Sequence, residues 1–301
     1  MSSLRRFSLR PPFPLSKPTW PGGVDRPPLD RKTGMNFDTD WSRRFPARVA
    51  RAALVDDVFA PIIKVMASPR VSGLDRLASL PDDEPVIFAA NHHSHFDTTI
   101  LLTAVPERFR HKLVVAAASD YFFDNRVKGA VWALAIGAFP IERTKVSRRS
   151  ADQAAELLDD GWSLIIFPEG GRSPHGWGQP FRAGAAYLAI RCHRAVVPVH
   201  LEGTRRVMRK GARLPTPSTV HVTFGRPMRA DDGEDARVFA ARIEREVAAL
   251  ADEQATDWWS ARRRAAAGTT PPLTGPEAGA WRRTWSLGEG RRRRHGTRWP
   301  A

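Results

Sequence analysis

Between residues 86 and 224 the chain alternates short apolar runs with helical periods, and this alternation limits its fold more than any other feature. Residues 86–90, 113–118, 138–141, 164–167 and 196–201 form nearly unbroken apolar runs of strand length. Unbroken rather than alternating hydrophobicity suits strands covered on both faces. Residues 98–105, 127–136, 150–158 and 184–192 lie between these runs and repeat their apolar positions at helical spacing. The expectation is therefore an α/β fold with a mainly parallel central sheet flanked by helices. Residues 219–224 alternate and are predicted as a late strand, a candidate for the sheet edge, and residues 236–252 as a terminal helix.

The flanks read differently. Residues 41–66 carry Phe45, Val49, Ala52, Val55, Phe59, Ile62 and Met66 at helical spacing, with Arg43, Arg44, Arg48, Arg51 and Lys64 among them. A basic amphipathic helix suits either a membrane interface or packing on the domain, and Pro61 is expected to kink or divide it. The net charge of +15 sits mostly at the ends: residues 1–34 carry +5 and residues 261–301 carry +8, leaving +2 for the rest. Both ends are rich in breakers or arginine and are expected to be disordered basic tails. The expected division is a disordered segment 1–34, an amphipathic helical segment 35–70, a catalytic domain 71–255 and an Arg/Trp-rich disordered tail 256–301. Met35 stands as a second candidate start. Basic tails suit anionic lipid or nucleic acid, and the tryptophans at 258, 259, 281, 285 and 299 suit a membrane interface or base stacking. The single Cys192 excludes an intramolecular disulfide, and no apolar run is long enough for a transmembrane helix.

Four segments place polar groups at the ends of apolar runs, which is where open α/β sheets form their ligand crevice. The first is Asn91-His92-His93-Ser94-His95-Phe96-Asp97, with a histidine suited to proton transfer near neutral pH and a carboxylate able to orient it. The second is Gly137-Ala138-Phe139-Pro140-Ile141-Glu142-Arg143. The third, Phe167-Pro168-Glu169-Gly170-Gly171-Arg172-Ser173, offers a carboxylate, glycine amides and an arginine in one turn. The fourth is Val196-Val197-Pro198-Val199. A planar guanidinium donates bidentately to phosphate, and glycine lets backbone N–H groups approach an anion.

In this order and spacing, the four blocks resemble those of the glycerolipid acyltransferase family, the lysophosphatidate acyltransferase-like proteins, over about residues 70–225. Phe181-Arg182-Ala183-Gly184-Ala185-Ala186 is similar to the family's segment after the third block. The resemblance implies transfer of a fatty acyl group from a thioester, acyl-CoA or acyl carrier protein, to a hydroxyl of a lysophospholipid, foremost 1-acylglycerol 3-phosphate. It implies His92 as general base, Asp97 as its orienting partner, Arg143 and Arg172 as phosphate ligands, and Glu169 and Gly170 as shapers of the acceptor pocket. It implies no cofactor and no metal, because a thioester is already activated. It further implies a peripheral enzyme of phospholipid biosynthesis at the cytoplasmic face of a membrane. Two departures bear on the acceptor: Gly171 stands where the family often has threonine, and Glu142 places a carboxylate beside Arg143.

Three alternatives stay open on the residues. One is another acceptor: glycerol 3-phosphate, an ornithine lipid or a glycolipid. A second is a metal-dependent hydrolase using His93 and His95 as ligands. A third is a non-catalytic membrane or nucleic-acid binder on the same fold.

Overall fold

The computed structural model describes residues 34–142, 148–173, 176–208 and 214–275. Two 3₁₀ turns, Gly34–Asn36 and Asp40–Arg43, lead into α1 (Phe45–Ala53), a π-helical stretch Leu54–Phe59, and α2 (Ala60–Ala67). After β1 (Arg70–Ser72) and a 3₁₀ segment Leu74–Ser79 come β2 (Ile87–Ala90), α3 (Phe96–Ala104), the one-turn α4 (Glu107–Arg110) and β3 (Leu113–Ala118). Then follow α5 (Ser119–Phe122), α6 (Arg126–Ile136), β4 (Ala138–Ile141), α7 (Arg148–Asp159), β5 (Ser163–Ile166), α8 (Gly184–Arg191), β6 (Val196–Glu202) and α9 (Thr204–Val207). The described chain closes with β7 (His221–Phe224), α10 (Ala236–Ala255) and α11 (Trp258–Ala266).

The strands form one seven-stranded sheet in the order β1-β7-β6-β2-β5-β3-β4. Every pairing is parallel except β6 with β7. The apolar runs fill both faces, as continuous hydrophobicity requires. Phe88, Ala90, Val115, Ile165, Val197 and Val199 point into a core shared with Ile63 of α2 and Ile100 and Leu101 of α3. Ile87, Ala89, Val114, Leu164, Ile166 and Val196 point into a second core with Leu157 and Leu158 of α7, Ala186 of α8, and Phe239 and Ile243 of α10. Phe88 is wholly buried at the centre of the first core. Its ring meets Phe109 at 5.6 Å and Phe224 at 6.2 Å, both edge-on.

Four findings depart from the sequence reading. First, the late strand β7 is not at the edge, because β1 pairs outside it from Arg70↔His221 to Ser72↔Thr223. β1 has only three residues, all exposed, so it carries no apolar run to read. Second, β5 ends at Ile166, one residue before the apolar run does, and this frees Phe167 from the ladder. Third, the expected disordered tail is partly ordered: α11 covers Trp258–Ala266 and packs on α10. Its Asp257 caps the Ser260 N–H at 2.9 Å, and Arg264 grips Asp252 through Nε (2.6 Å) and Nη2 (2.8 Å). Arginines read as a solvated tail are here paired across helices. The expectations of disorder for residues 1–33 and 276–301 lie outside the described residues.

Fourth, Pro61 does not break the N-terminal helix, whose backbone stays helical from residue 45 to 67; only the helix type changes ahead of it. It lacks the N–H for an α-helical bond and sits in the first turn of α2, and the turn ahead of it widens, so that the Ala60 N–H reaches back to the Val55 carbonyl. Among the described residues, no helix is long and apolar enough to cross a membrane.

Candidate active site

From β2 the chain crosses past β5 to β3, and from β5 it returns past β2 to β6. This reversal opens a crevice at the carboxyl ends of β2, β5 and β6. Asn91 leaves β2 and at once bonds the backbone of β6: its Nδ2 donates to the Leu201 carbonyl (2.9 Å), and its Oδ1 accepts from the Leu201 N–H (2.7 Å). The amide side chain thereby extends the β2–β6 ladder by one rung and presents His92 in the turn. Asp97 lies in the first turn of α3 and is wholly buried. One oxygen, Oδ2, accepts from His92 Nδ1 (2.9 Å), the His93 N–H (2.6 Å) and the Ser94 N–H (2.8 Å). The carboxylate thus ties down the two backbone amides of the turn ahead of α3 while it orients the histidine.

Burial alone would raise the Asp97 carboxyl. The His92 hydrogen bond, the nearby imidazoles and the Thr204 hydroxyl outweigh it and hold the group below the usual carboxylate range. An ionised carboxylate cannot donate, so His92 carries its proton on Nδ1 and keeps the Nε2 lone pair free to act as a base. The His92 ring stacks on Phe167, centroids 4.2 Å apart and planes 22° apart, which fixes its plane. The role of Phe167 was not apparent from sequence; it follows from the early end of β5.

The third block is tied to the first by its backbone. Glu169 Oε1 accepts the His92 N–H (2.8 Å), Glu169 Oε2 accepts the Gln179 N–H (3.0 Å), and the Ser173 N–H donates to the His92 carbonyl (2.9 Å). Glu169 is 2% exposed and faces the scaffold, so it shapes the crevice through the turns it joins. Gly170 has a positive φ of 69°, and a side chain there would meet the Arg182 guanidinium at 3.0 Å, so both backbone and space call for glycine.

Burial pushes the Glu169 carboxyl up to about 7, against the pull of its two amide partners. The folded state thus holds a proton that an unfolded chain has released, and stability falls as pH rises from about 4.5 to 7. The expected loss is about 3 kcal/mol. Urea unfolding across pH 4.5–8 should show the gap between wild type and Glu169→Gln changing through this window and flat above it; parallel curves would refute the assignment.

Beside His92 lies a cavity of about 460 Å³. His95, Thr98, Gly170, Gly171 and Arg172 line it together with His92, and its remaining wall is largely apolar, from β3 (Val115–Ala118), Phe122, Trp132, Ile136 and Ile141. The structure therefore brings His92, Asp97, Glu169, Gly170 and Arg172 together, while Arg143 lies outside the described residues. The three neighbouring histidines diverge. His92 stacks on Phe167, His95 faces Tyr121 at 6.1 Å, and His93 is half-buried, with its Nε2 atom buried and without a hydrogen-bond partner among the described residues. No group of three or more potential metal ligands exists among the described residues.

Residues 69–202 match the family model Acyltransferase. A 1-acyl-sn-glycerol-3-phosphate acyltransferase of Limnanthes alba is 41% identical over 149 residues, covering 48% of this chain and 51% of that protein. The enzyme of the same name from Cocos nucifera is 27% identical, covering 50% and 48%, and the human beta form is 32% identical, covering 40% and 42%. The chain thus spans about half the length of the curated relatives it matches. The crystal structure of the 1-acyl-sn-glycerophosphate acyltransferase PlsC from Thermotoga maritima shares the fold, with a TM-score of 0.53 at 21% identity, over 73% of this chain and 84% of that one. The segment similar to the Acyltransferase family model, residues 69–202, encloses the histidine–aspartate pair and the carboxylate turn.

Proposed function

We propose that the protein transfers a fatty acyl group from a thioester to the free hydroxyl of a lysophospholipid, foremost 1-acylglycerol 3-phosphate, in phospholipid synthesis. The observation that carries this reading is His92, held on Nδ1 by a buried, ionised Asp97 at the mouth of a mainly apolar cavity. His92 Nε2 takes the acceptor's hydroxyl proton as the oxygen attacks the thioester carbonyl. The tetrahedral intermediate collapses with loss of the C–S bond, and the imidazolium returns its proton to the leaving thiolate. The apolar wall suits an acyl chain, and Arg172 at the polar end suits the acceptor's phosphate. Arg143 keeps its sequence-based assignment as the second phosphate ligand. The thioester carrier is acyl-CoA or acyl carrier protein, and no cofactor enters the reaction. Phe45, Val49, Ile62 and Val65 expose an apolar stripe on α1 and α2, which supports peripheral docking at the cytoplasmic face of an anionic membrane.

The test is incubation with acyl-CoA and 1-acylglycerol 3-phosphate while free thiol and lipid products are followed. Thiol release is expected only with acceptor present, matched by the diacyl product in mass spectra. Release without acceptor, or loss of activity on chelation, would sink the transferase reading. Arg172→Ala is expected to raise the acceptor KM roughly tenfold or more, as for a lost charge-assisted hydrogen bond, and to leave the acyl-CoA KM nearly unchanged. Equal effects on both would remove Arg172 from the phosphate site.

A further inference from the structure

The C-terminal segment lies beyond the family match, and the chemistry above makes no use of it, yet it reaches the active-site loop. α11 is fixed to α10 by the Arg264–Asp252 pair and by Arg262 on Glu246 (2.7 Å). Past α11 the Thr269 N–H closes on the Arg264 carbonyl (2.9 Å), and residues 271–275 are then laid against residues 177–178. The Gly178 N–H donates to the Leu273 carbonyl at 2.9 Å. A Cβ at Gly178 would come within 3.0 Å of the Leu273 Cβ, and a Cβ at Gly275 would lie 2.4 to 2.8 Å from three atoms of the Trp177 ring. Gly275 also has a φ of 73°. Only glycine permits so close an approach there.

The contact feeds directly into the site. Gln179 follows Gly178; its N–H donates to Glu169 Oε2 (3.0 Å), and its side-chain amide to the Gly171 carbonyl (3.3 Å). Glu169 in turn holds the His92 N–H, and Gly171 precedes Arg172. A second fastening lies at the far end of the loop, where the Phe181 N–H donates to Glu244 of α10 (2.9 Å). The loop that carries Gln179 is thus gripped at both ends by the C-terminal part of the chain.

We infer that residues 271–275 form a positioning strap which, through Gly178 and Gln179, sets the Gly171–Arg172 side of the site and so its fit to the acceptor. The inference rests on the acyltransferase reading for its kinetic consequence, and on hydrogen bonds alone for its structural one. The deciding variant is full-length Gly275→Val, with Leu273→Asp as an independent break and Leu273→Met as the conservative control. Amide exchange across residues 176–182 is expected to accelerate about tenfold in both disruptive variants, with the melting temperature little changed. The acceptor KM is expected to rise about fivefold, the effect of one weakened hydrogen bond, while the acyl-CoA KM and kcat hold. Leu273→Met should behave as wild type. Unchanged exchange would mean that the strap holds nothing. Faster exchange with an unchanged acceptor KM, or with equal changes in both KM values, would mean that it does not set the acceptor side. Should the wild type turn over no lysophospholipid, the acyltransferase reading fails at that point, and exchange at 176–182 and at the His92 turn still decides whether the strap holds the loop.

Discussion

His92→Ala is expected to lower acyl transfer by about 10²–10⁴-fold, the range lost when a positioned general base is removed. The side chain is 18% exposed at the cavity edge and, among the described residues, its ring hydrogen-bonds only Asp97, so its loss leaves the scaffold largely as it was. The melting temperature of the variant should therefore stay close to that of the wild type, and binding of acyl-CoA should survive. Asp97→Asn separates the two roles of the carboxylate. It keeps the volume, yet it removes the charge that stabilises an imidazolium. It also leaves one of the His93 and Ser94 amides worse paired, so it should lose both activity and stability. Steady-state rates and thermal melts on both variants decide the matter. A His92→Ala protein that retains more than a tenth of wild-type kcat/KM would remove His92 from the chemistry.

Phe88→Ala is expected to cost about 3–5 kcal/mol, the largest stability effect of any single truncation in the sheet. Phe88 is wholly buried in the central strand, and its ring bridges Phe109 beside α3 to Phe224 on β7. Removing it deletes two edge-on aromatic contacts as well as the buried area, and the close-packed surroundings cannot collapse into the space. Urea unfolding should give a midpoint shift at nearly constant slope. A loss under about 1 kcal/mol would mean that this ring is not a packing centre of the first core. Activity should fall with it, because β2 delivers Asn91 and His92 to the site.

Much of the fold was legible because a parallel sheet covered on both faces writes itself as apolar runs. The strands 113–118 and 138–141 were placed to the residue, and the four helices α3, α6, α7 and α8 to within two residues, while α10 runs three residues further than its pattern and the short α4, α5 and α9 were not read. β1 was not legible, since its exposed side chains carry no pattern and it is defined only by backbone bonds to β7. In the site, the sequence pointed to the charged and glycine positions but not to how they are joined. That Glu169 spends both oxygens on backbone amides depends on residues 10 and 77 positions away. The stacking of Phe167 on His92 depends on a strand ending one residue early. The Leu273–Gly178 contact joins a segment whose composition reads as a tail to a loop nearly a hundred positions upstream, a pairing no local pattern announces.

The bonds that hold the His92 turn also impose an order on synthesis. Asn91 is fixed by Leu201, 110 positions later, and Ser94 Oγ by the Met208 carbonyl, 114 later, while the His92 N–H waits for Glu169. A chain emerging from the ribosome therefore completes the histidine and aspartate early but has nothing to seat them on until residue 208 has left the exit tunnel. The base is assembled only when nearly the whole sheet exists, so a truncated or stalled chain carries the reactive residues without the reactive arrangement.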